Sequence, residues 1–306
     1  MSIRLPQIRM GIARHEALAG YLFIAPAFLV FVVFVAGPMV AAFAFSLYKW
    51  DVFRAATFLG LDNYNRLFND KRFFITFWNT VVYTLLEVPL NLLVALAIAM
   101  LINRRLHPAL RYFLRTTYFF PVIISFVAVS ILWRYLLISD PTFGLINFYL
   151  AKVGISKVPW TTSSQWVLRS IVLVNIWKTF GFNLVIFLAG LQNIPRHFYE
   201  AAEIDGANFG QKFRNITIPL LTPTIFFALV IEMLHAVQLF DTAYVLTQGG
   251  PGDASRPIVM YMYETGFQAL KMGYASAVAV MLFVVVMLLT LMQMRVSQVW
   301  VYYMGE

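Results

Sequence analysis

The chain has 306 residues, of which 61% are hydrophobic, 17% aromatic and only 12% charged, a balance that excludes an ordinary soluble domain and fits a membrane protein. Its net charge of +9 sits mostly between apolar runs, so it bears on membrane orientation, and no nucleic-acid partner is expected. The absence of cysteine excludes a disulfide framework, a thiolate metal site and a cysteine nucleophile.

Arg4, Arg9 and Arg14 precede residues 17–48, which contain no charged side chain. A bilayer core of about 30 Å takes about 20 helical residues, and a signal-peptide core has only about 7 to 15. The run therefore reads as an uncleaved first span, and residues 1–72 as an N-terminal segment, that helix and a first outer loop. Further apolar runs cover 74–102, 113–136, 167–191, 218–240 and 274–294, the fourth interrupted only by Arg169 and Lys178. The expected fold is all-α and integral to the membrane, with six transmembrane helices. A core at 73–296 and a short tail at 297–306 complete the division, and no internal repeat or low-complexity linker is visible. Segments 137–166 and 241–273 read as the longer outer loops, with turn chemistry at Asp140-Pro141, Gly144 and Gly249-Gly250-Pro251-Gly252.

Lys and Arg near the span ends set the orientation. With a cytoplasmic N-terminus the inner set holds Arg4, Arg9, Arg14, Arg104, Arg105, Arg111, Arg115, Arg196, Lys212, Arg214 and Arg295. The first outer loop dilutes that majority with Lys49, Arg54, Arg66, Lys71 and Arg72. An even number of spans then puts both termini, and the segment between the fourth and fifth helices, in the cytoplasm.

That segment reads EAAEIDGANFGQKFRNITIP over 200–219. Pro195 suits the first turn of a helix, Glu200 and Glu203 favour its positive end, and Gly206 is placed to end it. Asn208 with Gln211 three residues later is a capping-box signature opening a second helix towards Pro219. The pattern predicts a helix, an elbow and a helix, with Phe198, Ala201, Ala202 and Asp205 on one face of the first. Acids and small residues on that helix fit docking to a protein better than binding to anionic lipid.

Glu200-Ala201-Ala202, Asp205-Gly206-Ala207, Phe213, Ile216 and Pro219 together resemble the EAA loop of the integral membrane subunits of bacterial ABC importers. The flanking LAGLQNIP at 188–195 and LTQGGP at 246–251 are similar to the carbohydrate-uptake branch, of the maltose and glycerol-3-phosphate permease type. The likeness runs from about Trp78 to Met294; the first outer loop is much shorter than in the maltose subunit. It implies the permease core of a type I ABC importer in the bacterial inner membrane, carrying a sugar or sugar-like solute and forming half of the pathway. Implied partners are a second permease subunit in a heterodimer, two ATPase subunits, a solute-binding protein and the lipid bilayer. Glu200, Ala201, Ala202, Asp205, Gly206 and Ala207 would form the ATPase-coupling contact. No cofactor is expected on this chain; ATP and Mg would sit on the partner ATPase, so the chain is expected to be a non-catalytic subunit. Residues 206–213, GANFGQKF, agree with this, because they lack the spacing and the hydroxyl of a phosphate-binding loop.

Ionisable groups inside spans are costly and point to function. Glu87, Lys178, Glu232, His235 and Asp241 are such groups. Asn175, Lys178, Thr179 and Phe182 share one face of the fourth helix, and Glu232, His235 and Gln238 recur at every third position of the fifth. Lys178, Phe182, Asn183, Glu232, His235, Gln238 and Asp241 form the expected substrate pathway, with Trp177, Phe182, Phe240 and Tyr244 as stacking surfaces for a sugar. The bland alternative is a Lys178–Glu232 pair that only ties two helices, with Glu87 bonding a neighbour. His235 has no second ligand at metal spacing, so no metal is expected. A self-sufficient proton-coupled transporter is the alternative function; a membrane enzyme would need a nucleophile or metal cluster that the sequence does not offer.

Overall fold

The computed structural model describes residues 7–104 and 106–302. Arg4 and Arg105 of the charge argument, and residues 303–306 of the tail, lie outside the described residues. The chain divides into two compact units, one of Met1–Leu67 with Thr265–Val280 and the other of Phe68–Glu264 with Met281–Glu306.

In the first unit α1 (Gln7–Phe31) continues through a π-helical turn, Val32–Ala36, into α2 (Gly37–Phe45). Strands β1 (Tyr48–Lys49) and β2 (Thr57–Phe58) then pair antiparallel, Tyr48 opposite Phe58. The Asn63 amide on α3 (Asp62–Phe68) donates to the carbonyls of Ser46 at 2.8 Å and Tyr48 at 2.9 Å. These bonds satisfy carbonyls in the turn that leads from α2 into β1.

The second unit carries the helical bundle. It comprises α4 (Lys71–Ile102), α5 (Pro108–Ile123), α6 (Phe126–Leu136), α7 (Leu145–Lys152), α8 (Val167–Asn193), α9 (Arg196–Ile204), α10 (Phe209–Lys212), α11 (Ile218–Val237), α12 (Asp241–Leu246) and α13 (Ile258–Tyr263). The last helix, α14 (Met272–Trp300), begins in the first unit and ends in the second. On α4 the buried face takes every fourth residue, Tyr83, Glu87, Asn91, Ala95 and Ala99. Ala95 and Ala99 are fully covered, and such small side chains let helix backbones approach closely. On α8, Gly181 serves the same end, since a Cβ there would lie 2.2 Å from the Tyr118 carbonyl oxygen of α5.

Among the described residues five helices are long and apolar enough to cross a bilayer, and a bent pair makes six if it is counted as one span. The third span, expected as one helix over 113–136, is instead α5 and α6 meeting at 98°. Ile124 and Ser125 between them are extended, with ψ of 143° and 139°. Pro121 lacks the N–H that would bond back into the preceding turn, which weakens α5 just before the break. A carbonyl freed inside a membrane needs a protein donor. The Lys178 ammonium supplies one, donating to the Val122 oxygen at 2.8 Å and lying 4.6 Å from the centre of the Phe126 ring.

The expected outer loops contain helices of their own. In 137–166 the buried Asn147 of α7 donates to the carbonyls of Ser139 and Val158 and accepts from the Val158 N–H and the Trp160 indole. In 241–273, α12 and α13 flank a loop tied by Arg72, Asp253, Arg256 and Glu264. The Arg72 and Arg256 guanidinium groups hold the Asp253 carboxyl below the usual carboxylate range, Arg72 most strongly.

Candidate functional site

Two features converge in the second unit, a polar cavity among the spans and an exposed elbow. The cavity, of about 340 Å³, is lined by α4, α5, α6, α8, α11 and the start of α12. Six of the seven expected pathway residues border it: Lys178, Phe182, Glu232, His235, Gln238 and Asp241. Helical spacing brings them there, because Asn175, Lys178, Thr179 and Phe182 turn one face of α8 to the cavity while Glu232, His235 and Gln238 descend the end of α11.

Asn183 is not on the cavity wall. Fully buried, it donates one amide to both Glu232 Oε2, at 2.5 Å, and Asn91 Oδ1, at 3.0 Å. Asn91 in turn donates to Glu87 Oε1 at 2.9 Å, Thr179 Oγ1 at 2.7 Å and Glu232 Oε1 at 3.2 Å. Two carboxyls, two amides and a hydroxyl thus knit α4, α8 and α11 together beneath the cavity. A half-satisfied version would be costly, since each buried orphan costs about 1 to 3 kcal/mol. Two polar atoms on cavity-lining residues, Glu87 Oε2 and Asn175 Nδ2, are without a hydrogen-bond partner among the described residues. Asn175 Oδ1 accepts from the Thr242 hydroxyl at 2.8 Å, tying α8 to α12.

The Lys178–Glu232 pair weighed from the sequence does not form: Lys178 serves the bend at Val122 and Glu232 serves the amides. Of the four aromatic platforms, Phe182 and Phe240 line the cavity. Tyr244 stacks on Phe240 at 5.2 Å, and Trp177 packs edge-on to Trp133 in the core. Tyr83, Phe126 and Thr242 also line the cavity and were missed. Tyr83 and the bridging Asn91 could have been found, since both continue the four-residue spacing that runs through Glu87 on α4.

The elbow is built as its residues predict. Helix α9 ends with Gly206 at φ +75°, and the Ala207 and Gly206 amides donate to the carbonyls of Ala202 and Glu203 at 2.8 and 3.1 Å. This two-bond closure is a Schellman cap, which needs the left-handed residue that glycine provides. The capping box follows, with the Asn208 side chain accepting from the Gln211 N–H at 3.0 Å and the Gln211 side chain accepting from the Asn208 N–H at 2.8 Å. The Tyr199 and Thr217 hydroxyls meet at 2.9 Å, fastening α9 to the π-helical turn Phe213–Thr217 that leads from α10 into α11. Two details differ from expectation. Pro195 is the cap and not a first-turn residue. In so short a helix Glu203 falls near the C-terminal end, where Lys212 pairs with it at 3.0 Å. Glu200, Ala201, Asp205 and Gly206 are exposed, Ala202 and Ala207 half-buried, and Ile204 is 88% exposed.

A helical bundle that crosses the membrane several times, with a polar cavity between its spans and a rigid projecting elbow, is a transmembrane subunit of a solute transporter. A family model described as "Binding-protein-dependent transport system inner membrane component" matches residues 91–299, and the chain belongs to that family. Over 295 residues it is 40% identical to the probable ABC transporter permease protein YesP of Bacillus subtilis, across 95% of this chain and 94% of that protein. It is 34% identical to the trehalose/maltose transport system permease protein MalF of Thermococcus litoralis, across 93% of this chain and 95% of that one. It also resembles a chain in the crystal structure of a bacterial ABC transporter involved in the import of the acidic polysaccharide alginate, with a TM-score of 0.81 and 26% identity over 96% of this chain and 99% of that chain.

Proposed function

We propose that this chain is one of two permease subunits of an ATP-driven importer for a carbohydrate, forming half of the path and taking its driving force through the elbow. The observation that carries this is the continuity of one element. α10, the π-helical turn and α11 run on from the capped elbow and end at Glu232, His235 and Gln238 on the cavity wall. A movement imposed at one end reaches the other without an intervening loop.

The cavity suits a polyhydroxylated solute. The Glu87 carboxyl and the Asn175 amide each bring to the cavity a polar atom that can bond a sugar hydroxyl, and Phe182 and Phe240 offer apolar faces for a ring. His235, Gln238, Asp241 and Phe182 are exposed on this chain. Polar side chains at such depth belong against water or protein and not lipid, which supports a second permease subunit closing the other half of the path. Lys178 contributes by holding the α5–α6 bend as well as by bordering the cavity. Glu200, Ala201, Ala202, Asp205, Gly206 and Ala207 would dock on a separate cytoplasmic ATPase that binds ATP and Mg, with both termini of this chain on the same side. A solute-binding protein would deliver cargo from outside. The chain itself is a component and not an enzyme. The carbohydrate class is supported by the relatives' names, trehalose and maltose among them.

The test is reconstitution. In the complete complex, His235→Ala and Gln238→Ala should lower solute uptake while basal ATP hydrolysis persists, and this chain alone in proteoliposomes should carry nothing. Transport by the chain alone would overturn the subunit reading; unchanged uptake in both variants would remove those residues from the path.

A further inference from the structure

Near the start of α5, at the same end of the second unit as the elbow, three arginines have no counter-ion among the described residues. Arg111 and Arg115 are one helical turn apart on α5 and both half-buried. The Nε of each is covered and has no acceptor. The Arg111 side chain makes one bond among the described residues, from Nη2 to the Arg104 carbonyl at 3.1 Å. The Arg115 side chain makes no hydrogen bond or ion pair among the described residues, and no described carboxylate lies within ion-pair distance of either. The Arg104 guanidinium sits over the Phe209 ring, 5.7 Å from its centre, and Phe209 opens the helix that follows the elbow.

Two cations a turn apart repel each other, and covering their Nε–H groups without an acceptor adds a desolvation cost. An anion between them removes both penalties. The guanidinium edge, with Nε–H and Nη–H side by side, matches two oxygens of a phosphate. The same stretch of α5 turns Leu110, Tyr112 and Phe113 outward, the last two 74% and 62% exposed, a surface that acyl chains would cover. Arg111 and Arg115 lie about 4.5 and 10.5 Å along the helix from its first residue, Pro108, the depth of a lipid headgroup at the end of a span. Basic pockets between spanning helices bind anionic headgroups in this way.

We propose that Arg111 and Arg115 form a site for the phosphate of an anionic phospholipid, placed next to the elbow through Arg104 and Phe209. The site is separate from the cavity, so its test needs no transport. The purified complex in phosphatidylcholine nanodiscs is titrated with phosphatidylglycerol, and bound lipid is counted by native mass spectrometry. Removing both charges in Arg111→Gln/Arg115→Gln should weaken retention roughly thirtyfold, about fivefold per arginine. Arg115→Gln alone deletes no side-chain hydrogen bond among the described residues, so it should fold normally and weaken retention about fivefold. Inorganic phosphate and glycerol 3-phosphate at millimolar concentration should not displace the lipid. Equal retention by the wild type and Arg115→Gln would overturn the site. Displacement by free phosphate would make it a soluble-anion site instead. Loss of a partner subunit from the variants in lipid-free detergent would show that a protein carboxylate fills it, and would equally overturn the proposal.

Discussion

Gly206 offers a test that separates backbone strain from docking. It sits at φ +75°, and a Cβ built there meets nothing within 4 Å, so on this chain a side chain costs only what the left-handed conformation costs. For alanine that is about 1 to 2 kcal/mol; asparagine, which visits this region readily, pays less. Helix α9 has nine residues and none buried, so little packing is available to absorb the loss. A change of 1 to 2 kcal/mol corresponds to roughly 5- to 30-fold in the population of the closed elbow. Hydrogen exchange at the Gly206 and Ala207 amides, which close the cap, should therefore speed up by about that factor in Gly206→Ala, and by much less in Gly206→Asn. Solute-stimulated ATP hydrolysis by the reconstituted complex should follow the same order. If alanine and asparagine behave alike, whether both silent or both inactive, the reasoning fails. In the inactive case the glycine would be required by a partner's surface and not by its own backbone.

Two further outcomes follow from the buried network and the loop between α12 and α13. Glu232→Ala strips one of two acceptors from the buried Asn183 amide and another from Asn91, and should lower stability by about 1 to 3 kcal/mol, read as a lower unfolding midpoint in detergent, with Glu232→Gln milder because one acceptor remains; an unchanged midpoint would show that the amides find other partners. The Asp253 carboxyl, held low mainly by Arg72, contributes stability that is complete above the ordinary carboxylate value near about 4 and is lost as pH falls through its lower folded value. Between pH 7 and 5 the wild-type unfolding midpoint should show no change from this group, then fall below about pH 4, whereas Asp253→Asn starts lower and loses less in acid; parallel curves would deny the ion pair a role.

The elbow was legible because its signals are local. Gly206, Asn208 and Gln211 act on backbone groups within three or four residues, so sequence spacing alone determines what they can reach. The cavity face of α8 and α11 was legible for a related reason, since helical periodicity decides which side chains share a side. The bend between α5 and α6 was not, because hydropathy counts apolar residues and passes over a two-residue extended break; only Pro121 marked it. The roles of Asn91 and Lys178 were hidden for another reason. Each is set by partners 56 to 141 positions away in the chain, Val122 for one and Glu232 for the other. A lysine among apolar residues reads as an ion-pair member until the broken span that needs its proton donor is seen.

The uninterrupted run from Phe209 to Val237 also has a mechanical meaning. At about 1.5 Å per residue it is a rod about 43 Å long. Tilting such a rod by about 10° about its elbow end would carry the far end through about 7 Å, roughly the width of a sugar ring. A gap wide enough for cargo could thus be opened by leverage alone, with no helix unwinding. If the elbow takes its drive from a partner ATPase as proposed, only a small angular displacement held stiffly is asked of that partner, and softening Gly206 or Asn208 would waste stroke before it cost affinity.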